Sequence, residues 1–157
     1  MKRPTELSKA ERVAARVVAT LSPFVERIEV AGSVRRRKPI VGDVDLAIAE
    51  PHTGFAEAFA SIGGRLTRAS GTAEVDGVTV EISVFEDGWE LIWGAVLCHM
   101  TGSAEENKRL RVIAKRNGWR LSQYGLRDVG TGELLAGRSE EEIYEALGER
   151  YVPVEDR

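Results

Sequence analysis

Two short groups of residues stand out for the chemistry they could do. Asp43 and Asp45 form an Asp-x-Asp step that leads into the apolar run Leu46-Ala47-Ile48. On a strand, alternate residues share a face, so the two carboxylates stand on one side with their Cα atoms about 7 Å apart and can lean together onto divalent cations. A pair of Mg²⁺ ions roughly 4 Å apart is the arrangement that clamps the attacking and leaving oxygens of a phosphoryl transfer. The second group, Ala31-Gly32-Ser33-Val34-Arg35-Arg36, is a Gly-Ser step able to open a helix, with two arginines just behind it. The unpaired N–H groups and positive dipole of a helix start suit an anion such as phosphate. Taken singly, both fragments are common, and an Asp-x-Asp strand is most often a solvated face. Joined, with nine residues between Ser33 and Asp43, they set a phosphate cradle beside a metal site.

The elements around these groups can be read from periodicity. An amphipathic helix with Ser8 as its N-cap is expected through about Thr20, its apolar stripe formed by Ala10, Val13, Val17, Val18 and Leu21. Residues 26–31 alternate as a strand feeding the Gly-Ser turn, and Pro39 limits the helix that follows. Residues 43–50 form the next strand. Val44, Leu46 and Ile48 face one side; Asp43, Asp45, Ala47 and Ala49 face the other, where small neighbours leave room for a ligand. A helix over 55–60 ends at Gly63-Gly64. A hairpin then turns at Asp76-Gly77 between strands 72–75 and 78–85. In its second strand Val78, Val80, Ile82 and Val84 make the buried face, and Thr79, Glu81 and Ser83 the polar one. By itself Glu81 reads as a solvent-facing strand glutamate.

The second half begins with a mostly apolar helix over 89–100, broken by Thr101-Gly102-Ser103. Ser103 caps a helix over 104–117 whose seam is Leu110, Ile113 and Ala114, with Asn107, Arg111 and Lys115 in a row on its polar face. After Gly118 a single strand over 120–129, a Thr131-Gly132 turn and a return strand over 133–136 are expected. Ser139 and Glu142 then form a capping box for a last helix over 140–147.

With 157 residues the chain is one unit, or one domain with a small subdomain, able to bury a core. No apolar run approaches the roughly 20 residues of a membrane helix, and one cysteine, Cys98, reads as a small buried hydrophobe; an intracellular location is expected. The net charge of −3 hides two basic clusters, Arg35–Lys38 and a run from Lys108 to Arg120. Such patches on an acidic chain are expected to bind a polyanion weakly and with strong salt dependence.

Gly32-Ser33-x-Arg35-Arg36 followed by Gly42-Asp43-x-Asp45 resembles the active-site signature of the polymerase β-like nucleotidyltransferases, in particular the X family of DNA polymerases. Thr101-Gly102-Ser103, Asn107, Arg111 and Tyr124 extend the resemblance, which runs from about residue 8 to the C-terminus. This later series separates X-family polymerases from small nucleotidyltransferases that share only the Gly-Ser/Asp-x-Asp core. The resemblance implies an α+β fold: a palm-like mixed sheet with helices on one face over residues 1–86, and a small C-terminal α/β subdomain of the nucleotide-selecting thumb type over 87–157.

It also implies roles. Asp43, Asp45 and Glu81 would be the catalytic and metal-binding acids for two Mg²⁺ ions, with Mn²⁺ as a substitute. Gly32, Ser33, Arg36, Gly42, His99, Thr101, Gly102, Ser103 and Asn107 would bind the nucleotide; Arg111, Lys115, Arg120 and Tyr124 would bind DNA. The expected reaction adds dNMP from a dNTP to a DNA 3′-hydroxyl in short-gap repair. The expected partners are gapped or primed DNA and the dNTP, the protein is expected to be a monomer, and another protein is expected to supply DNA affinity, since no helix-hairpin-helix or lyase region is recognised. Five positions depart from the family pattern. Glu81 stands where the family has an aspartate, Thr79 where it often has an arginine, His99-Met100 where it commonly has an aromatic pair, and Ala104 where an acid is common. Two other functions share these residues: a catalytically weak nucleotide- or DNA-binding module, and a nucleotidyltransferase acting on another acceptor.

Overall fold

The computed structural model describes residues 2–157, and the chain divides into two units, the first ending at Asp87 and the second spanning Gly88–Arg157. In the first, Thr5–Glu6 (β1) runs directly into the helix Leu7–Leu21 (α1). The helix therefore starts one residue ahead of Ser8. Its N-cap is Glu6, with no side-chain cap bond, and Ser8 lies inside the first turn instead of capping it. Ala10, Val13, Ala14, Val17 and Leu21 are its buried stripe, and Val18 packs at its margin.

The chain continues through Val25–Ala31 (β2), the single helical turn Gly32–Arg35 (α2), Ile40–Val41 (β3) and Val44–Pro51 (β4). Phe55–Ser61 (α3), Arg65–Leu66 (β5), Ser70–Val75 (β6) and Val78–Phe85 (β7) complete the unit. Its main sheet has the order β2-β4-β7-β6-β5. Only β4 and β7 are parallel, and α3, β5 and β6 make the crossover between them. The β6–β7 hairpin turns on Asp76 and Gly77, both at positive φ (51° and 77°), as a two-residue primed turn requires. β1 pairs separately with β3, antiparallel.

Alternation sorts the sheet's two faces. Val44, Leu46 and Ile48 on β4 and Val80 and Ile82 on β7 form the core with α1, Phe55 and Phe59. Leu46 and Ile48 are fully buried, each worth about 1.5–3 kcal/mol of transfer free energy. The opposite face carries the acids in one row, Ala31, Asp45, Glu81 and Thr72 standing side by side on four strands. Ala47 and Ala49, expected to leave open space beside the aspartates, are fully buried. The room on this face is therefore confined to its Asp43–Asp45 end.

The second unit packs three helices with a three-stranded antiparallel sheet. The helices are Trp89–Thr101 (α4), Ala104–Arg116 (α5) and Glu140–Ala146 (α6). The strands are Trp119–Ser122 (β8), Gly125–Asp128 (β9) and Leu134–Ala136 (β10), in the order β10-β9-β8. The single strand expected over 120–129 is two strands of a hairpin, turning at Gln123-Tyr124. Cys98, Leu110, Ala114, Leu126, Ile143 and Tyr144 lie in the core. Gly94 lets α4 approach the backbone of Ser139, which a Cβ would strike, and the Ala95 amide donates to the Gly137 carbonyl at 3.0 Å. Ser103 and Ser139 cap α5 and α6, each accepting from the amide three residues on. Among the described residues no helix is long and apolar enough to cross a membrane.

Candidate functional site

Asp43 immediately precedes β4, Asp45 is the second residue of β4, and Glu81 sits opposite Asp45 on β7. The parallel β4–β7 register brings the three acids together, with one carboxylate oxygen of each lying within 4.8 Å of the others. Asp43 is nearly covered, its side chain 12% exposed, whereas Glu81 is 42% exposed and reaches outward from the sheet. Burial, then the charges of Asp43 and Glu81, push the Asp45 carboxyl up to about 7. Crowded carboxylates of this kind disfavour one another's ionisation and favour a bound cation. The donor set, hard oxygens from two carboxylates on adjacent strands and one just ahead of β4, fits Mg²⁺ or Mn²⁺.

A cation of the chain itself lies on this cluster. The Lys2 ammonium is 2.6 Å from Asp43 Oδ2 and 3.2 Å from Glu81 Oε1. These bonds raise the lysine's pKa above its ordinary value. Sequence reasoning missed Lys2, because its position follows from the two-residue β1–β3 pairing, which has no local signature.

The Gly-Ser turn stands against the same acids. Ala31 pairs with Asp45, and Gly32, at φ 65°, lies so close that a Cβ there would overlap the Asp45 carboxylate. Ser33 follows on α2, its carbonyl accepting from the Lys38 amide at 3.1 Å. α2 is one turn of four residues, too short for much of a macrodipole. What it offers an anion is therefore its backbone amides and the Ser33 hydroxyl. Arg36 closes the turn, its amide bonded to the Gly32 carbonyl, and its side chain is half-buried. Arg35 borders a groove with α1 residues Ala14 and Val18 and with Val30 and Val34. Gly42, in the bend beside Asp43, has nothing within 4 Å of where a Cβ would project. Thr79 is buried and donates to Glu74 at 2.5 Å.

The remaining predicted residues belong to the second unit. His99 and the buried Thr101 end α4, Gly102 follows at φ 71°, and the Gly102–Ser103 peptide is cis. Asn107 on α5 donates its Nδ2 to the His99 carbonyl at 2.9 Å, tying the two helices across this break. Burial and the neighbouring Arg111 charge hold the His99 imidazole below its usual pKa, which keeps it neutral. His99, Arg111, Lys115, Trp119, Arg120, Leu121, Ser122 and Val129 line one open groove of about 480 Å³. Three of the four predicted DNA-contacting residues therefore share it. Tyr124 does not; it stands 55% exposed at the β8–β9 turn. Trp119 was missed, although an aromatic residue beside Arg120 is a signal that could have found it.

Residues 96–157 match the family described as DNA polymerase beta thumb. Over 94% of its length the chain is 35% identical to the DNA polymerase/3′-5′ exonuclease PolX of Bacillus subtilis. It spans 27% of that protein. A 64-residue stretch, 41% of the chain, is 38% identical to DNA polymerase IV of Saccharomyces cerevisiae, of which it covers 11%. Among solved structures, Leishmania infantum polymerase beta in a ternary P/T complex matches with a TM-score of 0.82. That match covers 99% of this chain and 77% of the other at 19% identity, a likeness of fold. The fold is that of the polymerase β class, a mixed-sheet α+β chain. Sequence and fold likenesses together support an X-family polymerase-like protein, of whose bacterial relative the chain spans about a quarter.

Proposed function

We propose that the chain is a nucleotidyltransferase that adds a nucleoside monophosphate from a dNTP to the 3′-hydroxyl of DNA, acting at short gaps. The observation that carries this reading is the meeting of Asp43, Asp45 and Glu81 within 4.8 Å, with Gly32 packed on Asp45.

In the reaction, the 3′-oxygen bonds to the α-phosphorus, the α–β phosphoanhydride breaks, and pyrophosphate leaves. Asp43, Asp45 and Glu81 would hold two Mg²⁺ ions, which would supply a lowered pKa for the attacking hydroxyl and charge neutralisation on the triphosphate. Glu81, more exposed than Asp43, accepts the hydroxyl proton. The Gly32 and Ser33 amides, the Ser33 hydroxyl and Arg36 grip the β- and γ-phosphates, and Gly42 keeps the approach beside Asp43 clear. In the second unit His99, Thr101, Gly102, Ser103 and Asn107 contact the nucleotide, while Arg111, Lys115, Arg120 and Tyr124 hold the DNA. The PolX and polymerase IV likenesses support DNA as the acceptor, and an intracellular reaction fits that acceptor. The protein acts as a monomer, with a partner supplying DNA affinity.

Primer extension on one-nucleotide-gapped and on open primed DNA, with Mg²⁺ or Mn²⁺, tests the substrate. Template-directed addition, stronger at the gap, is expected. Equal failure on both substrates alongside firm dNTP binding would remove the polymerase reading and leave a nucleotide-binding module. Addition to RNA or a small acceptor alone would replace DNA as substrate.

A further inference from the structure

We infer that Lys2 is a built-in competitor of the divalent cation, an ammonium tethered over the three-acid cluster that must be displaced before the metal can load. The inference rests on the metal-site reading above and goes beyond it.

The tether follows from the strand register. β1 and β3 pair antiparallel, Thr5 opposite Val41 and Glu6 opposite Ile40. Extending that register towards the N-terminus sets position 2 beside position 44, at the mouth of β4. The Thr5 hydroxyl donates to the Arg3 carbonyl at 3.0 Å, and the Leu7 amide donates to the Pro39 carbonyl at 3.0 Å. Both bonds fix the path of the segment. The lysine's four-carbon stem then reaches back along the acidic face, and its ammonium bridges Asp43 and Glu81 at 2.6 and 3.2 Å. Asp43 and Glu81 are two of the three metal ligands, so one oxygen of each cannot serve ammonium and metal together. The lysine side chain is half exposed, so its release into water is inexpensive, and the contact acts as a weak gate. By linkage, whatever draws the ammonium away, a bound polyphosphate for example, strengthens metal binding equally.

Direct Mn²⁺ titration followed by electron paramagnetic resonance of the free ion, on the full chain without nucleotide or DNA, tests this. Lys2→Gln is expected to bind Mn²⁺ about fivefold more tightly, the change that an exposed ion pair of about 1 kcal/mol supplies. Lys2→Arg should stay near wild type, and Lys9→Gln, an equal charge loss on the exposed side of α1, should change affinity less than twofold. If Lys2→Gln and Lys9→Gln both match wild type, the lysine is no competitor and the metal-site reading stands. If no variant binds Mn²⁺, the metal-site reading fails and the competitor falls with it. Equal tightening in both glutamine variants reduces the effect to net charge and overturns the inference.

Discussion

Replacing Gly32 by alanine tests whether the Gly-Ser turn and the acids are one site. Gly32 sits at φ 65°, where an L side chain costs about 1–2 kcal/mol of backbone strain. The new methyl would also overlap the Asp45 carboxylate, whose Cγ and Cβ lie 3.0 and 3.2 Å from the added carbon. Either the carboxylate rotates off the cluster or the turn shifts. The strain alone predicts a stability loss of about 1–2 kcal/mol. Displacing one of three ligands predicts about a 10- to 100-fold loss of Mn²⁺ affinity, the range seen when a ligand's positioning partner is removed. Urea unfolding in chelator reads the first quantity, and Mn²⁺ titration at pH 8 reads the second. A variant that loses 1–2 kcal/mol of stability yet keeps full metal affinity would refute the coupling and leave Gly32 as a backbone requirement only.

Other perturbations read other parts of the molecule. Because the Asp45 carboxyl titrates at about 7, Mn²⁺ binding should weaken steeply below pH 7 and level off above it, with a proton released on binding; a flat affinity from pH 6 to 8 would contradict the crowding. The sign for stability is opposite. Between its ordinary 3.8 and about 7 the folded state holds the extra proton, so the metal-free protein should lose stability as pH rises through that window, and Asp45→Asn should flatten the slope. In the second unit Arg157 is buried, bonded to Glu140 at 2.7 Å and set over the rings of Tyr144 and Tyr151. Glu140→Gln strands that guanidinium without its counter-charge and should cost about 3 kcal/mol in urea unfolding; a loss below about 1 kcal/mol would show that the pair contributes little. Arg111→Ala and Lys115→Ala should each reduce the slope of log affinity against log salt for DNA by about 1, and an unchanged slope would take their groove out of the DNA contact.

Much of the sheet was legible because alternation in a half-buried strand is strict. Val44, Leu46 and Ile48 could only face one way, which sent Asp45 the other, and Val80 and Ile82 likewise turned Glu81 outward. The Asp76-Gly77 turn carried its own positive-φ signature. Elements defined by distant partners were not legible. β1 and β3 have two residues each and exist through one another, so neither they nor Lys2 over the acids could be read from local pattern. Ser8 carried a cap signal, but the chain enters α1 directly from β1 and the helix begins before it. The break between β8 and β9 was hidden because Gln123-Tyr124 lacks a turn signature ahead of Gly125. In the candidate site the acids and the Gly-Ser turn came from spacing and family likeness. The groove shared by Arg111, Lys115, Trp119 and Arg120 needed the packing of α5 against β8 to emerge.

Single-turnover insertion of one nucleotide into a gapped DNA, comparing wild type with Asp45→Ala under saturating Mg²⁺, bears most directly on the proposed chemistry. Insertion by the wild type, with a loss of at least about a hundredfold in the variant while its fold stays intact, is the expected result. Equal rates for the two proteins, or no insertion by either, would contradict it.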